Sequence, residues 1–211
     1  MITFSLCFYG LAYGSGKEES PILPASAFDN DVAFLKKYGD VIVLKDPSGQ
    51  SRIAVMPTLQ GRVMTSTAGA PSKLSYGWIN RPLFEAGEIS EHTNAFGGEE
   101  RIWLGPEGGQ FSIFFAAGSA FTRENWYTPR FIDVEPWDVV NQTEQSALFT
   151  KEATLTNYSG ATFQIKLNRE VRVLDNRAAL SAIGVPEDAR LTSVAYQTVN
   201  DLQNAGQEPW D

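Results

Sequence analysis

The chain is short of the residues that most site chemistries need. It has a single cysteine, Cys7, among 211 residues. That excludes a disulfide within the chain and a thiolate zinc cluster. It has a single histidine, His92, so any metal centre would be built mostly of carboxylates. Only calcium or magnesium suits such ligands, and no EF-hand-like spacing is present. No metal and no cofactor are expected. Clustered lysine and arginine are missing too: 17 basic residues stand against 25 acidic ones, for a formal net charge of -8. Phosphate tracking needs basic patches, so nucleic acid and anionic membrane surfaces are poor partners. A neutral small molecule or oligosaccharide remains compatible. No Gly-x-Ser-x-Gly elbow, Walker loop or βαβ alternation occurs. The apolar run over residues 1 to 14 is too short to span a bilayer as a helix.

Apolar and aromatic residues are plentiful: 43% hydrophobic and 12% aromatic. That is the composition of a folded domain, and the length is ordinary for one all-β unit. Two regions are expected. Residues 1–28 form a signal-like segment and linker. The apolar start runs into Ala12-Tyr-Gly-Ser-Gly16, which suits cleavage, although no basic residue precedes Lys17. A periplasmic or extracellular location follows; the alternative is a cytoplasmic chain with a tail of no special role. Residues 29–211 form the domain. It opens with a short helix capped by Asp29 or Asn30 and stopped by Gly39.

From residue 40 the period changes to two. Strands are predicted over residues 41–44, 51–56, 61–66, 112–116, 146–156, 163–174 and 191–199. Phe163, Ile165 and Leu167 alternate with Gln164, Lys166 and Asn168, so this stretch and the one before Gly160 read as a hairpin. A minor helix over residues 177–183 has Asp175 or Asn176 as its cap and Gly184 as its stop. Residues 200–211 read as a turn leading into a strand with no partner, so the domain is expected to be C-terminally truncated.

Residues 92 to 110, His-Thr-Asn-Ala-Phe-Gly-Gly-Glu-Glu-Arg-Ile-Trp-Leu-Gly-Pro-Glu-Gly-Gly-Gln, combine an imidazole, carboxylates, a guanidinium and an indole. Polar groups converging beside an aromatic face suit a sugar, whose hydroxyls take bidentate hydrogen bonds and whose apolar face stacks. If the segment is extended, Glu99, Arg101 and Trp103 share one face and Glu100 takes the other. The alternative is a glycine-rich loop with Glu99 and Arg101 as an exposed ion pair. Arg62, at a strand start, either forks onto hydroxyls or makes a surface salt bridge. Asn80 and Arg81 are further candidates. Trp126, Tyr127 and Trp137 either rim a cleft or staple a long loop to the sheets, the staple being preferred.

Residues 51 to 66, Ser-Arg-Ile-Ala-Val-Met-Pro-Thr-Leu-Gln-Gly-Arg-Val-Met-Thr-Ser, resemble the opening strands of the aldose 1-epimerase (galactose mutarotase) superfamily. Residues 94 to 107 resemble the Asn-x-x-Gly-Gly-x-x-x-x-Trp-x-x-Pro-Glu pattern of uncharacterised bacterial relatives of that superfamily. Segments 77–80, 108–115 and 155–160 are similar to the same family. The resemblance implies an all-β fold, an antiparallel β-supersandwich of galactose mutarotase type with one or two short helices. It implies a carbohydrate-interacting protein that acts as a sugar epimerase by acid and base chemistry at the anomeric centre. The open alternatives are a non-catalytic carbohydrate-binding or structural module, and a polysaccharide lyase or hydrolase on the same scaffold. On that reading His92 is the catalytic acid, and Arg62, Asn94, Glu99, Arg101, Trp103 and Glu107 bind the substrate. The base would be a late glutamate, in a stretch this sequence does not contain.

Overall fold

A computed structural model of the chain describes residues 27–69, 74–188 and 191–210. Nearly all of the signal-like segment and linker lies outside the described residues. The rest is mostly β, with two antiparallel sheets and four short α-helices among the described residues.

The first sheet holds β1 (Ile42–Lys45), β2 (Arg52–Met56) and β3 (Arg62–Thr67), in that order. Asp46 closes the β1–β2 turn by accepting from Ser48 Oγ and from the Ser51 amide. Between β2 and β3 a 3-10 turn over Pro57–Leu59 gives way to Gln60 and Gly61, with φ of 64° and 62°. A Cβ on Gly61 would lie 2.6 Å from the Phe149 ring. The glycine therefore lets this turn sit directly on the facing sheet.

The second sheet holds β4 (Asp138–Gln142), β5 (Ser146–Thr156), β6 (Thr162–Val173) and β7 (Tyr196–Asn204), again in order. The hairpin read from alternation is β5–β6, paired from Ser146 with Arg172 to Thr156 with Thr162. Along β6, Ile165, Leu167, Arg169, Val171 and Val173 are buried. Its Ile165, Leu167, Val171 and Val173 meet Ile42, Leu44, Ile53, Val55 and Val63 of the first sheet in one core, filled out by Phe114, Phe131, Ile132 and Trp137. Burial of apolar surface between the sheets is the main term holding the layers together.

The other face of the first sheet is covered by α1 (Phe28–Leu35) and α2 (Arg81–Ala86). Phe34 and Leu35 pack with Met56, Leu59, Met64, Phe84 and Phe96. With a layer on each side, β3 is buried along its whole length. The chain is completed by α3 (Arg130–Asp133) and α4 (Asn176–Ala182).

Four expectations are corrected. Asp29 and Asn30 do not cap α1: Ala27 is the N-cap, no side chain caps it, and Asp29 instead pairs with Arg52 at 2.8 Å. Residues 112–116 form no strand. Ser112 and Phe114 are buried in alternation, but the Phe114 amide goes to Ser112 Oγ, and the carbonyls of Ser112 and Phe114 accept from Tyr158 and Tyr127. The last strand is shifted, running over Tyr196–Asn204. Residues 200–204 are therefore strand and not turn, held along β6 from Val173–Tyr196 to Ile165–Asn204. By contrast α4 keeps its reading, with Asp175 Oδ1 accepting from the Ala178 amide at 2.7 Å.

Candidate functional site

The first sheet does not stop at β3. Val63 bridges to Glu100 and Ile79 bridges to Gly97. The Val63 amide donates to the Glu100 carbonyl at 3.0 Å, and the Glu99 amide donates to the Val63 carbonyl at 2.8 Å. Paired glycines make this possible. Gly97 and Gly98 have φ of 90° and 103°, and a Cβ on Gly97 would stand 2.2 Å from the Trp78 carbonyl oxygen. Side chains are thus excluded where three backbone segments meet.

The segment continues over residues 99–104 and lines a groove of about 530 Å³ with Leu167 of β6 and Thr198, Asn200 and Leu202 of β7. Glu99, Arg101 and Trp103 border one hollow, but Glu100, Ile102 and Leu104 border it too, so the expected division of the segment into two faces with Glu100 on the other is corrected: residues 101–104 form no strand.

Within the groove Glu99 Oε1 accepts from Ser66 Oγ at 2.9 Å, and the nearby Tyr196 phenol also favours the charged carboxylate. Burial outweighs both effects and pushes the Glu99 carboxyl above its usual range. A raised value means that the folded state holds this proton more tightly than the unfolded chain. The resulting stabilisation is complete below the ordinary value of 4.5 and is lost as pH rises through the raised one. Glu99→Gln is therefore expected to gain stability relative to the parent as pH rises. Urea midpoints of the two proteins across pH 4 to 8 test this, and a constant difference would contradict it.

Arg101 donates from Nη2 to the Ile132 carbonyl at 2.8 Å, and its Nη1 lies 3.8 Å from Asp133 Oδ1. Its guanidinium sits 4.3 Å above the Trp103 ring. The expected exposed ion pair with Glu99 is therefore not formed. The Trp103 indole packs on Phe114 at 5.2 Å and donates to Glu107 Oε1 at 2.7 Å. Glu107 itself is exposed and does not line the groove.

Arg62 makes no surface salt bridge: it is 1% exposed and donates to the Gly97 carbonyl and to Gln60 Oε1, each at 3.1 Å. Burial pushes its guanidinium down to about 9, with the charge of Arg101 adding to the effect and that of Asp133 opposing it.

Asn94 is buried away from the groove lining. It bonds Asp133 Oδ2 at 2.8 Å and both accepts from and donates to the Ser90 backbone, so it orients Asp133. His92 is also absent from the lining. Its Nδ1 lies 2.8 Å from the Trp126 carbonyl and its ring stacks on Tyr127 at 4.3 Å. Asn80 caps α2 and donates to the Ala95 carbonyl, while Arg81 pairs with Asp31 across the helices. Trp137 is the staple it was read to be, buried and donating to the Phe131 carbonyl at 2.7 Å.

Sequence reasoning missed the ionic centre at the groove's edge. Arg169 is fully buried on β6 and pairs with Glu100, while its Nε donates to the Gly61 carbonyl at 3.2 Å and its Nη1 to Asn200 Oδ1 at 2.9 Å. The signal was an arginine at a core parity, in line with Ile165, Leu167 and Val171.

Among the described residues no group of three or more His, Cys, Asp or Glu side chains is placed to hold a metal ion, and no helix is long and apolar enough to cross a membrane. No curated protein and no solved structure matches the chain. Residues 26–211 match the family of unknown function DUF6786, and the chain belongs to that family.

Proposed function

We propose that this protein binds a carbohydrate in the groove between residues 99–104 and the inner face of β6 and β7. The observation that carries the reading is the lining itself. Two carboxyls, a guanidinium and a carboxamide border the same hollow as an indole and three leucines. That mixture meets both the hydroxyl and the apolar faces of a pyranose. The two packed antiparallel sheets support the finer assignment to a galactose mutarotase-like sandwich. If the protein also interconverts anomers, the proton-carrying group is Glu99 and not His92, because Glu99 borders the groove and its raised proton affinity suits a general acid.

Titration of the protein with common hexoses and hexuronates, followed by tryptophan fluorescence and amide NMR, tests the binding. Shifts should centre on residues 99–104 and 198–202. Arg101→Ala should weaken the ligand at least tenfold, the size expected on losing one charged hydrogen bond. Polarimetry on freshly dissolved sugar then reads anomer interconversion. Shifts confined to other surfaces, or none with any saccharide, would overturn the proposal.

A further inference from the structure

We infer that the ligand of this groove is a glycoside whose apolar aglycone, about the size of one aryl ring, occupies a second hollow at the groove's end. The inference rests on the carbohydrate reading and narrows its substrate class. The two hollows lie end to end. Leu104 borders the first from one wall, and Leu167 and Leu202 border it from the other. Leu104 and Leu202 also border the second, which measures about 220 Å³. Register gives the direction. Leu167 pairs with Leu202 across β6 and β7. The next inward positions on β6 are Ile165 and Phe163, and both line the second hollow. Two residues advance a strand by about 6.7 Å, so the second hollow continues the first along β6. The opposite wall runs the same way, from residues 99–104 to Gly105 and Pro106.

The chemistry changes along this line. The first hollow is bordered by two carboxyls, a guanidinium and a carboxamide. The second has one polar side chain, Asn157, whose Oδ1 already accepts from the Ala161 amide at 2.9 Å and from Ser159 Oγ at 3.1 Å. A second sugar ring seated there would leave most of its hydroxyls without side-chain partners, which is costly. An apolar group meets no such cost, and the walls are open to one. Leu104, Ile113, Leu155 and Phe163 pack on the main core yet stay partly exposed. At the rim Phe111, Leu202 and Trp210 are 62%, 45% and 40% exposed. The Trp210 and Phe163 rings meet edge to face with centroids 5.7 Å apart, forming an aromatic corner. Exposed apolar side chains gathered around one hollow mark a binding surface. Size then selects the occupant. An apolar cavity of about 150 Å³ holds benzene, whereas a site for a whole drug-sized ligand starts at about 300 Å³. The second hollow is therefore an annex for one ring and not a site by itself.

The test is calorimetric titration of the whole protein with methyl and phenyl glycosides of glucose, galactose and mannose in both anomers, and with phenol, cellobiose and lactose. The phenyl glycoside of the recognised sugar should bind about tenfold or more tightly than its methyl counterpart. Phe111→Ala, which trims an exposed side chain, should shrink that ratio. Phe121→Ala, 52% exposed and bordering neither hollow, should leave it unchanged. Amide shifts that distinguish the phenyl from the methyl glycoside should centre on residues 111–113, 155 and 163. Equal binding of the two glycosides would overturn the inference and leave the carbohydrate reading standing. Disaccharides as tight as phenyl glycosides would do the same, by placing a second sugar in the annex. Phenol as tight as the phenyl glycoside would show an apolar site unconnected with the groove, again against the inference. So would self-association in sedimentation velocity that Phe111→Ala abolishes, because the patch would then be a contact between copies of the chain. A ratio unaltered in Phe111→Ala, with the distinguishing shifts elsewhere, would refute the placement. Failure of every sugar and glycoside would remove both readings.

Discussion

Replacing Arg169 with leucine is expected to destabilise the protein by about 3–5 kcal/mol, the cost of leaving a buried charge without its partner. Arg169 has no exposed side-chain surface, and Glu100, with which it pairs, has 9%. The pair also ties three parts of the fold together, since the guanidinium reaches Gly61 at the β2–β3 turn and Asn200 on β7. Removing the cation strands the Glu100 carboxylate between the sheets and unties those ends together. The charge argument makes a second demand: Arg169→Leu combined with Glu100→Gln should be more stable than Arg169→Leu alone, because the stranded charge is gone. The control is Arg172→Leu, three residues along the same strand. Its pair with Glu170 at 2.7 Å is half exposed, and such pairs contribute about 0–1 kcal/mol. Urea unfolding of the four proteins checks this. Equal losses at positions 169 and 172 would show that the buried pair is not a keystone.

That centre also marks where a reading from sequence stops. The β5–β6 hairpin was legible because its alternation is local and its turn carries Gly160. The α4 helix was legible because Asp175 and Gly184 stand at its two ends. Residues 112–116 show how period two misleads. Ser112 and Phe114 do alternate inward, yet their backbone groups are taken by side chains and loops, and among the described residues no strand pairs with them. Alternation reports which side is buried; a ladder needs a neighbour, and the neighbour lies elsewhere in the chain. At the groove, Glu99, Arg101 and Trp103 could be grouped because they lie within one segment, while parity wrongly set Glu100 apart from them. Thr198 and Asn200, which complete it, lie about a hundred residues away and were read as the end of one strand and the start of a turn. Glu100 and Arg169 are 69 residues apart. Such pairings follow from the register of whole sheets, which no short window contains. His92 drew attention as the only histidine. Rarity is a property of composition, and the ring's placement against Trp126 and Tyr127 follows from packing.

A methyl group at Gly97 is the second large perturbation. Gly97→Ala is expected to cost about 2–4 kcal/mol, from a left-handed backbone that alanine adopts poorly and a clash with atoms that have no room to move. The added Cβ would lie 2.2 Å from the Trp78 carbonyl oxygen and 3.0 Å from its ring. The carbonyl cannot rotate away, because it already accepts from the Gly98 amide at 2.8 Å. Gly87 separates the two causes. It also has positive φ, at 64°, but nothing lies within 4 Å of its missing Cβ. Gly87→Ala should therefore cost only about 1 kcal/mol, the conformational part alone. The difference between the two variants measures the clash. Relief at position 97 requires the segment to lift off β3, and the segment is what carries Glu99, Arg101 and Trp103 to the groove. Amide hydrogen exchange should thus quicken at Val63, Glu99 and Glu100 in Gly97→Ala and stay slow in Gly87→Ala. Saccharide binding should fall with it. If exchange at Val63 and Glu99 stays at the parent rate while stability drops, the backbone has yielded on the Trp78 side instead, and the groove should keep its ligand.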